Sequence, residues 1–348
     1  MHGVKKLMRI LRNVERRVTD SCFKKEGVLN MRNCYLCGMM GLVVGDALGV
    51  PVEFLTRQQL ANRPVDRMLE GGFHEQPAGT WSDDSSMGLA TLASLRNGYD
   101  LADIAEQFSR WQKEGEYTPW GEVFDMGNTC FRAIANFQKT GNPYLCGLKE
   151  EYNNGNGSLM RILPMCIYVL QKQMDGKITN EEAISMIHDV SAITHAHIRS
   201  RMACGFYYFC VKSIVEREGS LIDRLQNGID DGFCFYQKDS ESLQELECFN
   251  RLKTLVDFKM IPEDEIRSGG YVIDTIEAAM WCLVNSTSYK ECVLKAVNLG
   301  GDTDTTGAVA GGLAGLFYGY HNIPKEWREV IIRRDWIEEM CDSMVYCK

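Results

Sequence analysis

Two short acidic clusters hold the residues best suited to chemistry. The first is Gly79-Thr80-Trp81-Ser82-Asp83-Asp84-Ser85-Ser86-Met87, immediately before the helical Leu89, Leu92 and Leu95 pattern. The second, Gly300-Gly301-Asp302-Thr303-Asp304-Thr305-Thr306, stands in the same position before a later helix. One Asp or Ser at a helix start caps free N–H groups and meets the positive end of the dipole. Capping accounts for one carboxylate per helix, whereas two in each cluster place like charges side by side, a repulsion that a cation offsets. Oxygen donors from Asp, Ser and Thr, without Cys or His, select Mg²⁺, Mn²⁺ or Ca²⁺ over zinc. If both helix starts converge, four carboxylates can hold two divalent ions, a geometry suited to hydrolysis.

Other polar residues read less sharply. Pro51 ends the helix before it and throws Glu53 into a loop, where an exposed glutamate is the bland reading. Asn153-Asn154-Gly155-Asn156-Gly157-Ser158 and Asp125-Met126-Gly127-Asn128-Thr129 are turn-rich loops that can present N–H groups to an anion or serve as ordinary surface turns. His195 and His197 are two apart, share no helix face, and make a poor joint metal site. Cys34 and Cys37 form a CxxC with no second Cys/His pair at comparable spacing, a weak signal for zinc or redox use.

The elements that must position these residues are helical. No succession of alternating β-branched runs requires a sheet, and the clearest helices fall at 85–97, 101–113, 128–139, 181–192, 198–217, 271–285, 288–297 and 306–319. Gly41, Gly45 and Gly49 stand four apart, as do Gly307, Gly311, Gly315 and Gly319, so each set lies on one helical face. A helical glycine costs about 1 kcal/mol relative to alanine. Close approach of two backbones is the compensating gain, and two tightly packed central helices are expected. The acidic stretch near 219–245 reads as a loop-rich surface excursion. Residues 1–30 carry a basic amphipathic pattern (Val4, Leu7, Met8, Leu11, Val14, Val18) that can dock on the body, touch a membrane surface or fray. A start at Met31 would also leave an intact-looking domain.

Composition bounds the function. The 348 residues, 45% hydrophobic and 24% charged, suit a globular chain with a large core. With 38 Lys+Arg against 47 Asp+Glu the formal charge is −9, which disfavours broad nucleic-acid binding. No run of about 18 uncharged apolar residues marks a membrane span, and no compact apolar leader is seen at the N-terminus. Fourteen cysteines at irregular spacing in so long a chain read as reduced thiols. A cytoplasmic location follows as an expectation.

Five ordered motifs bring a family into view. Gly45-Asp46-Ala47-Leu48-Gly49-Val50-Pro51-Val52-Glu53-Phe54, Ser82-Asp83-Asp84, Asn156-Gly157-Ser158-Leu159-Met160-Arg161, Thr194-His195-Ala196-His197 and Gly301-Asp302-Thr303-Asp304-Thr305 with its glycine stripe resemble, in order, those of the ADP-ribosylglycohydrolase family. The match runs from about 36 to 330. The resemblance implies an all-α fold, a compact multihelical single domain over 31–348 with residues 1–30 as an extension. It implies hydrolysis of the glycosidic bond between ADP-ribose and its acceptor, with an ADP-ribosylated protein or small molecule as substrate. Two divalent cations, Mg²⁺ or Mn²⁺, are then expected, one held by Ser82, Asp83, Asp84 and Asp304 and the other by Asp302, Asp304 and Thr305. Glu53 becomes the candidate general acid/base. Gly127, Asn128, Asn154, Asn156, Gly157, Ser158 and His195 fall where family members contact ADP-ribose. The family often has Thr where Ser82 stands, and both offer a hydroxyl. A catalytically silent homologue and a two-metal phosphoesterase are the competing readings. The acceptor is left open among arginine, serine, poly-ADP-ribose, a nucleobase and a small guanidine, and a monomer is expected.

Overall fold

A computed structural model describes residues 31–344. The amphipathic pattern of residues 1–30 lies outside the described residues. In chain order the helices are α1 (Met31–Gly49), α2 (Arg57–Asn62), α3 (Asp83–Leu95), α4 (Leu101–Glu114), α5 (Asn128–Thr140), α6 (Leu163–Met174), α7 (Asn180–Ala192) and α8 (Ile198–Glu216). They continue as α9 (Leu221–Tyr236), α10 (Ser240–Glu245), α11 (Leu255–Lys259), α12 (Val272–Val284), α13 (Tyr289–Asn298), α14 (Thr303–Tyr318), α15 (Lys325–Val330) and α16 (Arg334–Ser343). Among the described residues no β-strand forms, and pairing is limited to isolated bridges such as Leu148 with His195 and Gly155 with Tyr271.

The two glycine stripes meet. A side-chain carbon on Gly45 would sit 2.0 Å from the Gly307 carbonyl oxygen, and one on Gly41 would sit 2.3 Å from that of Gly311. Alanine in place of either glycine would drive the backbones apart, so the stripes set how closely α1 and α14 approach. Thr303 Oγ1 donates to Gly49 O at 2.8 Å, fixing the register of the pair, and Tyr289 Oη, from α13, donates to Gly41 O at 2.7 Å. The segment Asn33–Val52 is long and apolar enough to cross a bilayer by length and composition, with mean hydropathy 1.6, but 94% of that window is buried among other helices. It is the central helix of the core, and it carries a buried Asp46.

The 219–245 reading is corrected by the structure. Ser220 and Asp223 form a reciprocal capping box that starts α9, and Leu221, Leu225 and Ile229 bury its inner face against α8. Gly228 and Gly232 made the segment look like loop, yet they are there to let α9 approach: an added carbon would meet Cys210 Cα at 2.8 Å and the Phe206 ring at 2.5 Å. Cys34 and Cys37 lie buried in α1, where burial pushes the Cys37 thiol up to about 11. That is the opposite of the activated thiolate a redox site uses.

Candidate functional site

Four chain segments converge on one acidic pocket. Pro51 ends α1 through a single tight turn, Val50–Val52, after which Glu53 turns back rather than outward. Phe54 N donates to Gly301 O and Gly301 N to Leu55 O, both at 2.8 Å, which pins the Glu53 turn against the Asp302 loop. Glu53 is only 5% exposed, so it is not the solvent-facing loop residue its position suggests. One turn before the end of α1, Asp46 accepts from Ser82 N (2.9 Å), Ser85 N (3.0 Å) and Ser85 Oγ (2.5 Å). The first glycine helix thereby holds the start of α3.

The acids then face one another. Ser82 caps α3 by accepting from Asp84 N, and its hydroxyl donates to Asp84 Oδ2 at 3.0 Å. Thr305 Oγ1, on the first turn of α14, donates to the same oxygen at 3.3 Å. Asp302 stands at the N-cap of α14 without making a cap bond, leaving its carboxylate for the pocket, where Asn156 Nδ2 donates to Oδ2 at 2.8 Å. Glu53, Asp302 and Asp304 each offer an oxygen, all within 4.8 Å of one another. The structure therefore brings Glu53, Ser82, Asp83, Asp84, Asp302, Asp304 and Thr305 together.

Burial and mutual repulsion dominate the electrostatics. Asp83, Asp84 and Asp304 are held well above the usual carboxylate range, first by desolvation and then by neighbouring carboxylates. Glu53 is raised to about 9 by burial, with Asp125 and Asp302 adding to it, while Asp46 rises by burial only to about 6 because the Ser82 and Ser85 donors oppose the shift. Two oxygens, Asp84 Oδ1 and Asp304 Oδ2, are buried without any hydrogen-bond partner. Buried carboxylate oxygens left unpaired on two converging helix starts are what a site for hard cations leaves open, so the donor set fits divalent ions.

Sequence reasoning missed His74 and undervalued Asp125. His74 Nε2 lies 2.6 Å from Glu53 Oε2 and 3.9 Å from Asp125 Oδ1, and these three residues form a second set with oxygen and nitrogen donors within 4.8 Å. A lone histidine in a loop has no spacing to betray it. Aromatic rings surround it: Phe73 at 5.2 Å and Phe124 at 5.1 Å between centroids, with Phe54 packed edge-on against Phe73 at 4.9 Å. Phe54 and Phe73 are 55% and 71% exposed and form an open lip beside Glu53. Phe54, Glu75 and Asp125 all adopt left-handed backbone, a conformation unfavourable for residues with a Cβ, and the three occur around this lip.

The expected ligand loops border the pocket but use their side chains differently from one another. Gly127 and Asn128 sit exposed at the start of α5, and Thr129 Oγ1 donates to Asn153 Oδ1 at 3.2 Å, joining the two loops. Asn154 turns inward, accepting from Ser200 Oγ at 2.8 Å and donating to Glu151 O at 2.9 Å. Ser158 also faces the core, where Ser191 Oγ donates to it at 2.9 Å. Asn156 uses its backbone N–H on Gly270 O at 3.0 Å and its side chain on Asp302 and Thr275, so it braces the acidic cluster. His195 is buried beside Gly155 and Gly157, and His197 caps α8.

Known proteins resemble this chain in sequence and in fold. A family model described as ADP-ribosylglycohydrolase matches residues 30–347. The chain is 33% identical over 311 residues to the ADP-ribosylarginine hydrolase Tri1 of Serratia proteamaculans, covering 88% of this chain and 78% of that protein. It is 32% identical over 299 residues to the ADP-ribosyl-[dinitrogen reductase] glycohydrolase of Rhodospirillum rubrum, covering 84% and 88% respectively. A solved structure described as an ADP-ribosylglycohydrolase-related protein complex is similar with a TM-score of 0.71 and 28% identity, over 90% of this chain and 97% of that one.

Proposed function

Because the chain belongs to the ADP-ribosylglycohydrolase family, and is thus a hydrolase of ADP-ribosyl glycosidic bonds, we propose that its acceptor is an arginine side chain and its cofactors two Mg²⁺ or Mn²⁺ ions. The observation that carries the reading is the convergence of two acid-bearing helix starts with Asp84 Oδ1 and Asp304 Oδ2 left unpaired in the pocket. Ser82, Asp83, Asp84 and Asp304 would hold one ion, and Asp302, Asp304 and Thr305 the other. Bound ions would supply Lewis-acid contacts to oxygen atoms of the ribose or of water.

The chain's own residues do the rest. Glu53 sits where the His74–Asp125 pair meets the Asp302–Asp304 pair, and burial with these neighbours favours a proton on its carboxyl group. A protonated Glu53 can give that proton to the departing guanidine nitrogen, and the resulting carboxylate can take one from water. His74, 2.6 Å away, orients the Glu53 carboxyl through Oε2. The Phe54–Phe73 lip supports a guanidinium acceptor, since aromatic faces attract planar cations and Asp125 adds an adjacent carboxyl group. Asn156 fixes Asp302, and loops 125–129 and 153–158 enclose the ADP-ribose.

The test offers the full chain an arginine-ADP-ribosylated peptide and a serine-linked counterpart, with the products read by mass spectrometry. The expected result is free ADP-ribose with its pyrophosphate intact from the arginine peptide, abolished by EDTA and restored by Mg²⁺ or Mn²⁺. Cleavage of the serine peptide alone would overturn the acceptor. Undiminished turnover in chelator would overturn the cofactors, and release of AMP would mark a phosphoesterase instead.

A further inference from the structure

Arg161 is wholly buried, 0% exposed, behind the 153–158 loop. Nη1 donates to Gly157 O at 3.0 Å, Nη2 donates to Thr194 Oγ1 at 2.8 Å and to Val190 O at 3.2 Å, and the guanidinium lies 4.5 Å from the Phe108 ring centroid. No carboxylate is among these partners. Burying an unpaired cation costs several kcal/mol, and an apolar side chain of similar volume would fill the space more cheaply. The fork must therefore contribute something that a core residue would not, and the groups it grips are the loop, Thr194 and the Val190 carbonyl near the end of α7.

The hydrogens can be followed from there. The Thr194 hydroxyl has one proton to donate and two lone pairs to accept with. Arg161 can only donate, so it occupies a lone pair. Besides Arg161 the hydroxyl meets His195 Nδ1, at 2.8 Å, and the Cys130 thiol, whose sulfur is only a weak acceptor. Nδ1 is the stronger acceptor of the two, so the hydroxyl proton is directed to it. Burial, with Arg161 close by, lowers the His195 pKa to about 3, so the ring is neutral and its single proton is left for Nε2. Nε2 faces the loop: a side-chain carbon on Gly155 or Gly157 would sit 3.4 Å from it, and one on Gly157 would come within 2.8 Å of Cε1. Glycine at both positions leaves the nitrogen uncovered, and it makes no hydrogen bond to the described residues.

We propose that Arg161 and Thr194 are positioning residues that fix His195 as its Nε2–H tautomer, presenting a neutral N–H donor to an oxygen of ADP-ribose held by the 153–158 loop. The identity of the ligand rests on the functional reading above, whereas the tautomer rests on the hydrogen-bond chain and the burial of the ring. Through one side chain the fork sets both the Gly157 carbonyl and, by way of Thr194, the ring that faces it.

The test uses the full chain with ¹⁵N-labelled histidine. Its six histidines are few enough for His195 to be assigned by its disappearance in His195→Gln. Long-range ¹H–¹⁵N spectra are expected to place the proton on Nε2, and Thr194→Val to disturb that signature while Thr194→Ser restores it. Binding of free ADP-ribose, followed by calorimetry, gives the second readout. Glutamine sets its amide N–H near the Nε2 position and asparagine near Nδ1, so His195→Gln should hold Kd within about threefold while His195→Asn weakens it about tenfold, the worth of one neutral hydrogen bond. Thr194→Val should raise KM about tenfold, with the loss falling in KM rather than kcat. If that variant does not fold, the parent spectrum and the Gln/Asn pair still decide. A proton on Nδ1, or asparagine serving as well as glutamine, in a parent that binds ADP-ribose overturns the relay. A parent that binds no ADP-ribose overturns the functional reading and with it the assignment of the ligand.

Discussion

Alanine placed at two helical glycines should change stability in opposite directions. At Gly45 the added carbon falls 2.0 Å from Gly307 O and 2.5 Å from the carbonyl carbon, where ordinary contact begins at 3.4 Å. The shortfall is 3.4 − 2.0 = 1.4 Å against backbone, which has no rotamer to escape into. At Gly88, inside α3, the same carbon meets only Met39 Cε at 3.5 Å, an ordinary contact with the end of a flexible chain. Both substitutions gain about 1 kcal/mol of helix propensity. Gly45→Ala also forces apart two buried helices, an overpacking that costs about 3 kcal/mol at the upper end of its usual range, for a net loss of roughly 2 kcal/mol. At about 2.1 cal/mol/K per residue, a chain of this size loses roughly 3 °C of Tm for that change, and Gly88→Ala gains about 1 °C. Scanning calorimetry on parent and both variants, in chelator and in excess Mg²⁺, reads the difference. Because α14 also carries Asp304 and Thr305, the metal-induced rise in Tm should shrink in Gly45→Ala and persist in Gly88→Ala. Equal shifts of the same sign in the two variants would refute the close-approach argument.

Other outcomes follow from the acidic pocket. Glu53→Gln should keep at least one ion bound while turnover falls about 10²- to 10⁴-fold, the usual contribution of a general acid/base, and single-turnover assays with metal analysis separate the two effects. Asp304→Asn should raise Tm in chelator, by removing an acid whose ionisation burial and its neighbours oppose, yet lose most of the rise that Mg²⁺ gives the parent; an unchanged metal response would reject its place in the site. In chelator, the raised Asp46 and Glu53 groups mean the folded state binds more protons than the unfolded one. Their stabilising contribution is present below about pH 4 and disappears as pH climbs through about 6 and then about 9. Tm measured against pH should fall across that window with EDTA and flatten with Mg²⁺. Deleting residues 1–30 should leave turnover of a small ADP-ribosylated substrate intact, and a folded, metal-binding truncation without activity would show that the extension serves the site.

Much of this was legible in the residues because spacing exposes geometry. Glycines four apart name a helix face, so two closely packed central helices are readable from the sequence. Doubled acids at two helix starts announced repulsion that needs an explanation. His74 could not be found that way, since its role depends on a loop folding back to Glu53 across 21 positions. Asp46 was hidden for another reason: a single acid on an apolar helix has no partner in sequence, and its donors, Ser82 and Ser85, lie far along the chain. Asn154 and Ser158 had suitable residue types for ligand contact, yet residue type does not say which way a side chain turns, and theirs turn to Ser200 and Ser191. Helix α9 was obscured by Gly228 and Gly232, whose low propensity is outweighed by the packing they allow.

The contact between the glycine helices also sets a timetable for synthesis. Thr303 Oγ1 and the Gly49 carbonyl are 254 positions apart, so the glycine-striped partner of α1 is made late. At about 5–20 residues per second, the ribosome needs roughly 13 to 50 seconds to supply it. Throughout that interval a nascent segment apolar enough to enter a bilayer has no glycine-lined groove to occupy. Chaperones that shield emerging hydrophobic segments should therefore engage this chain early and release it late. A product terminated before residue 303 would lack both the glycine stripe that packs on α1 and the Asp304 half of the pocket.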